Sequence, residues 1–197
     1  MTLLIKICGL QEERHVLAAL DAGADALGFV FAESPREVSP ATANLICAQV
    51  PAQVKRVAVM LHPSQAAWQE VLDVFQPDIL QTDASDFAHL RVPSFVVHWP
   101  VFREGADEPD TTAPFVYEGA HSGFGDTVDW SDAALLAQDG HMILAGGLNA
   151  NNVAAAIQTV TPMGVDVSSG VESARGQKNT DRIKAFIRAA RAAENNR

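Results

Sequence analysis

The sequence predicts a single-domain (β/α)8 (TIM) barrel, and three observations carry that expectation. Eight short apolar runs rich in β-forming residues follow one another, with helical-period segments between nearly all of them. Several runs are apolar at almost every position, as strands of a parallel sheet buried on both faces are. Each run then ends in a polar residue or a glycine, at the edge where such barrels keep their chemistry. At 197 residues the barrel is minimal, below the roughly 250 usual for the fold. An open doubly wound sheet is the structural alternative. It is disfavoured because the first strand is not followed by a dinucleotide glycine pattern, and because eight parallel strands close naturally.

Taken in order, Thr2 to Ile7 is the first strand, ending in Cys8-Gly9. Glu12 to Ala22 carries Val16, Leu17, Ala19 and Leu20 at helical spacing, and Gly23 stops it. Asp25 to Phe31 is a buried strand, and Ser34-Pro35-Arg36 a loop. Ser39 caps a helix with Pro40 at its first position, running to about Val50 and including Cys47 as a core residue. Val54 to Leu61 is the third strand; Ser64 caps a helix through Phe75. Asp78 to Gln81 is the fourth strand, with a brief helix from Asp86 to Arg91, and Val96 to Phe102 is the fifth. The polar stretch from Arg103 to Pro114 has no helical pattern, so the fifth helix is short or missing. Phe115-Val116-Tyr117 is the sixth strand, ending in Glu118. A glycine-rich loop follows, then a helix from Trp130 to Gln138 with Asp129 as its N-cap. Met142 to Ala145 is the seventh strand, ending in Gly146-Gly147. Asn149 caps a helix to about Val160, and Val165 to Val167 is the eighth strand, ending in Ser168-Ser169-Gly170. Asp181 to Ala193 is the last helix. No linker or composition shift divides residues 1–197, which are expected to form one domain.

The formal net charge of −10 argues against nucleic acid and anionic membranes, both of which need a basic patch. A phosphorylated small molecule remains compatible with it, since backbone N–H groups can hold phosphate. Cys8 and Cys47 are the only cysteines, and the histidines fall in no close ligand spacing, so neither a disulfide framework nor a metal site is expected. No apolar run approaches the ~18 residues of a membrane span. A cytoplasmic protein is expected, and a monomer, because no apolar surface stripe stands out.

Strand ends gather the candidate chemistry. Gly146-Gly147 and Ser169-Gly170 lie after strands seven and eight, where barrels often bind phosphate through bare backbone N–H groups. Taken alone each is an ordinary tight turn; two on adjacent strand ends point to an anion. Cys8 and Glu118 form a candidate base and acid. A lone cysteine in an apolar run is ordinarily a small buried hydrophobe, yet Cys8 is the last residue of its strand. Lys6 shares its side by strand alternation, and a cation there is expected to lower the thiol's pKa. Glu118 can also be a solvated loop carboxylate. Arg36 can grip a carboxylate in a bidentate fork or stand as a surface arginine.

These stretches resemble the phosphoribosylanthranilate isomerase family of tryptophan biosynthesis. The resemblance rests on Lys6-Ile7-Cys8-Gly9-Leu10, Gly23-Ala24-Asp25, Gly28-Phe29-Val30-Phe31, Ser34-Pro35-Arg36 and Asp129-Trp130. It rests equally on Leu144-Ala145-Gly146-Gly147-Leu148 with Asn152-Val153, and on Gly164-Val165-Asp166-Val167-Ser168-Ser169-Gly170-Val171-Glu172. It implies an Amadori rearrangement without cofactor, with Cys8 as base and Arg36 facing the anthranilate carboxylate. Asp83, Gly123, Gly125 and Asp166 fall at further substrate-binding positions, and Gly146, Gly147, Ser169 and Gly170 hold phosphate. Two positions depart from the family pattern. Its strand-six aspartate is here Glu118, and its Gln-Leu-His-Gly reads Gln81-Thr82-Asp83-Ala84. Read without the resemblance, the residues also admit another phosphosugar barrel isomerase or lyase, or a non-catalytic barrel binding a phosphorylated metabolite.

Overall fold

A computed structural model of the chain describes residues 2–106, 109–120 and 127–195. Eight parallel strands close into a barrel in sequence order: β1 Leu4–Cys8, β2 Ala26–Val30, β3 Lys55–Val59, β4 Ile79–Asp83, β5 Val97–Arg103, β6 Phe115–Glu118, β7 Met142–Leu144 and β8 Gly164–Val167. β1 pairs with β2 on one side and β8 on the other, which closes the ring. Among the described residues six α-helices cover it: α1 Glu13–Ala22, α2 Pro40–Ile46, α3 Gln65–Phe75, α4 Trp130–Leu136, α5 Val153–Val160 and α6 Thr180–Glu194. A 3-10 turn, Ala84–Ala88, follows β4.

Alternation along each strand sorts side chains into two cores. Ile5, Ile7, Leu27 and Phe29 face outward and pack with helix residues such as Trp68, Phe186 and Ile187. Ala26, Val57, Ile79, Trp99, Val116 and Ile143 fill the interior of the barrel. Lys6 points inward with them, fully buried, and its Nζ lies 2.5 Å from Asp166 Oδ2 on the neighbouring β8.

The expected helix starts hold where a side chain supplies the cap. Ser39 Oγ accepts from Thr42 N and Ser64 Oγ from Ala67 N, while Asp129 Oδ1 accepts from Ser131 N and Asp132 N. No helix separates β5 from β6 among the described residues, as the lack of helical pattern predicted. Several elements differ from expectation. α2 ends at Ile46 rather than near Val50, with Cys47 buried at its end. The expected Asp86–Arg91 helix is the earlier 3-10 turn. Asn149 starts a turn ahead of α5, its Oδ1 accepting from Asn151 N, and Asn152 occupies the cap position. A small antiparallel hairpin, β9 Glu172–Ala174 and β10 Gln177–Lys178, stands between β8 and α6, where the sequence pattern assigned no element.

Candidate active site

The strand ends surround a cavity of about 310 Å³, and Cys8, Asp83, Arg103, Glu118 and Asp166 line it from separate strands. The backbone turns that leave β7 and β8 complete its wall with Gly146, Gly147 and Ser169.

Gly146 and Gly147 have φ of 87° and 60°. Two successive left-handed residues are accessible to glycine at little cost, and they turn bare backbone toward the cavity. Gly170 takes a different part. It sits in a 3-10 turn, Ser169–Val171, and a Cβ there would overlap the backbone carbonyl of Leu148. Its missing side chain lets the loop after β8 lie against the loop after β7.

Arg36 is buried, and two of its nitrogens are already engaged: Nε donates to Glu172 Oε1 at 2.6 Å and Nη2 to Oε2 at 3.1 Å. Glu172 also accepts from Lys178 Nζ at 2.6 Å and from Gly176 N at 3.0 Å. Burial alone would push its carboxyl up, but the bonds from Arg36, Lys178 and Gly176 bring its pKa down to about 2. Lys178 donates as well to the backbone and side-chain oxygens of Ser168. The hairpin is therefore tied to both the Ser-Pro-Arg loop and the end of β8. Arg36 lines the cavity with its fork taken on one edge, and Nη1 is the nitrogen that keeps no partner among the described residues.

Cys8 is 7% exposed. Lys6 pulls the thiol's pKa down, as expected, but the net shift is upward. Burial pushes the thiol up, and the opposing pull of Lys6 and Lys178 does not overcome it. The reason is visible in the pairing: Lys6 is committed to Asp166, whose own negative charge pushes the thiol further up. Asp166 lines the cavity, and its Oδ1 is buried without a hydrogen-bond partner among the described residues.

Glu118 and Asp83 meet through a residue that the sequence did not single out. Arg103, the last residue of β5, places Nη2 at 2.8 Å from Asp83 Oδ1 and Nε at 3.2 Å from Glu118 Oε1. The hydrogen bond that Arg103 donates to Asp83, with Glu118 adding to it, holds the guanidinium above its usual range. Asp83 also lies 3.4 Å from His62 Nε2. Arg103 escaped notice because the apolar pattern of β5 ends at Phe102; the strand continues one residue further, and the register Arg103↔Glu118 aligns the two side chains. Gly123 and Gly125 lie outside the described residues.

A family model for N-(5'phosphoribosyl)anthranilate (PRA) isomerase matches residues 5–189. An N-(5'-phosphoribosyl)anthranilate isomerase of Pelobacter propionicus is 40% identical, covering 95% of each chain. The crystal structure of TrpF from Jonesia denitrificans is 33% identical, with a TM-score of 0.83 and full coverage of both chains. A phosphoribosyl anthranilate isomerase in complex with reduced 1-(o-carboxyphenylamino)-1-deoxyribulose 5-phosphate is 29% identical. Its TM-score is 0.77, over 97% of this chain and 100% of that one.

Proposed function

Because the chain belongs to the N-(5'-phosphoribosyl)anthranilate isomerase family, we propose that it is the isomerase that converts N-(5-phosphoribosyl)anthranilate to 1-(2-carboxyphenylamino)-1-deoxyribulose 5-phosphate in tryptophan biosynthesis. The observation that carries the mechanism is the convergence of Cys8, Glu118 and the two glycine-bearing loops on one cavity.

The protonated carboxyl of Glu118 gives its proton to the ribose ring oxygen. The C1–O bond breaks toward that oxygen while the anilino nitrogen's lone pair forms a C=N bond. Cys8, as thiolate, then takes the proton from C2, and the released electron pair forms C1=C2 and neutralises the nitrogen. The enolamine collapses to the ketone when the C2 hydroxyl loses its proton to Glu118 and C1 regains one from the Cys8 thiol. Both groups end as they began, and every hydrogen stays within substrate and enzyme. Phosphate is held by backbone N–H groups of the turns after β7 and β8, Gly146, Gly147, Ser169 and Gly170, with the last acting through loop shape. Arg36 presents its Nη1 side to the ring carboxylate, Asp166 offers Oδ1 to a sugar hydroxyl, and Gly123 and Gly125 contribute to substrate binding. This reading takes residues 1–197 as one domain working in the cytoplasm as a monomer; light scattering should return 21.0 kDa. No helix among the described residues is long and apolar enough to cross a membrane.

The test is a fluorescence assay of the purified protein with enzymatically generated phosphoribosylanthranilate. Turnover is expected in the wild type, and Glu118→Gln, which keeps shape but removes the proton, should bind substrate without opening its ring. Full activity in Glu118→Gln would remove it from the mechanism.

A further inference from the structure

Asp83 and Glu118 are joined by Arg103. Their side chains and that of Arg103 are only 14%, 15% and 23% exposed, so their mutual charges act with little screening. Three consecutive strands, β4, β5 and β6, thus deliver a carboxylate, a guanidinium and a carboxylate to one rim of the cavity. These three side chains carry one guanidinium against two carboxylates, which does not suit a receptor for a further anion.

The arrangement does suit a group that must both give and regain a proton. Once Glu118 has protonated the ring oxygen, it carries a new negative charge. A fixed guanidinium beside it stabilises that charge with no reorganisation at the moment of reaction. An arginine devoted wholly to Glu118 would instead hold it as carboxylate before substrate arrives. Asp83 resolves the conflict by taking the closer contact, 2.8 Å against 3.2 Å.

We propose that Arg103 is a positioning residue that stabilises the carboxylate left on Glu118 after proton donation, and that Asp83 draws off part of its charge so that Glu118 can be reprotonated. This rests on the assignment of Glu118 as proton donor. Other groups among the described residues also stand near the triad. Glu104, just past β5, donates its backbone N–H to the Glu118 carbonyl and accepts from Asp129 N with its carboxylate. His62 stands beyond Asp83 and is 64% exposed. Tyr117 precedes Glu118 on β6, β7 gives way to Ala145 and Gly146 without charge, and Cys8 and Asp166 line the same cavity from β1 and β8.

The triad predicts opposite responses to its two partners. Arg103→Met should lower kcat by about 10- to 100-fold with KM changed less than about threefold, and Arg103→Lys should restore part of the loss. In Arg103→Met the limb of the pH–rate profile that titrates Glu118 should move to higher pH. In Asp83→Asn, with the guanidinium left to Glu118 alone, it should move to lower pH. Carbon-13 NMR titration of the Glu118 carboxyl in glutamate-labelled protein should show the same two displacements without any need for turnover. A rise in KM at constant kcat in Arg103→Met would make Arg103 a substrate contact and overturn the proposal. So would displacement of both variants in one direction, or of neither. A wild type that titrates as described but does not isomerise the substrate would instead overturn the functional reading alone.

Discussion

At the scale of single residues, the question is how a buried thiol can serve as a base. Cys8 sits where β1 ends, and its environment opposes ionisation: burial outweighs the two lysines. Alkylation by iodoacetamide should therefore reach half its limiting rate above pH 9, the ordinary thiol value. Cys47 does not confuse the reading, since burial pushes it up to about 12. A midpoint below pH 8 would mean that Lys6 and Lys178 prevail. Cys8→Ser is nearly isosteric and should fold, yet turnover should fall by about two to four orders of magnitude; near-normal turnover would exclude Cys8 as base. Cys8 and Glu118 were legible as candidates because each is the last residue of an apolar run. Arg103 was not, because nothing in a strand's apolar pattern says how far a polar residue may extend it. Nor could the net shift of Cys8 be read: alternation puts Lys6 beside it and gives the right sign for that one cation, but only the three-dimensional structure shows the burial that outweighs it and the pairing of Lys6 with Asp166, across 160 residues.

At the scale of elements, the loops after β7 and β8 form the proposed phosphate end of the cavity, and the β9–β10 hairpin ties the end of β8 to the Arg36 loop. That hairpin was invisible in the sequence because its strands, ESA and QK, are too short to show alternation. The missing helix between β5 and β6 was legible for the converse reason, since a polar run with prolines cannot form an amphipathic face. Glu172 is the hinge of this tie, and its depressed pKa has a consequence of definite sign. A carboxyl at about 2 when folded, against about 4.3 when unfolded, contributes stability that is whole above about pH 5 and drains as pH falls toward 2. Glu172→Gln should flatten that acid loss. It should also destabilise the protein at neutral pH by about 3–5 kcal/mol, because Arg36 and Lys178 are left buried with no compensating charge. Urea unfolding at several pH values checks both; an unchanged acid dependence would show that Glu172 is not the group responsible. Gly147, with φ of 60°, makes the complementary case at the proposed phosphate end. Gly147→Val should raise KM with kcat much less affected, by distorting the turn and blocking close backbone approach. A KM unchanged in that variant would place the phosphate elsewhere.

At the scale of the molecule, a barrel is only as sound as the seam between its first and last strands, and this chain fastens that seam on both sides. On the outside, Arg191 of α6 donates to Leu3 O, Gly23 O and Asp25 Oδ2, while Glu194 accepts from Leu3 N. On the inside, Lys6 and Asp166 face each other in register across β1 and β8, at 2.5 Å. The closed eight-stranded order itself was legible from strand count and spacing, but this fastening was not, because it joins residues from opposite ends of the chain. The inner pair is buried, and such a pair costs much of what its attraction returns. Its removal should then depend sharply on how it is removed. Lys6→Met leaves Asp166 charged inside the barrel, with Oδ1 already lacking a partner among the described residues, and should cost about 3–5 kcal/mol. Against a total stability of roughly 5–15 kcal/mol, that brings the fold close to its limit. Lys6→Met combined with Asp166→Leu removes both charges and keeps apolar volume, and should return stability to within about 1 kcal/mol of the wild type or above it. The double variant should nonetheless be a poor enzyme, since it loses Asp166 from the cavity and the cation nearest Cys8. Chemical denaturation and turnover measured on the same three proteins decide the matter. A double variant as unstable as Lys6→Met would show that the pair is a net stabiliser of the seam; one that is both stable and active would show that neither charge serves the site.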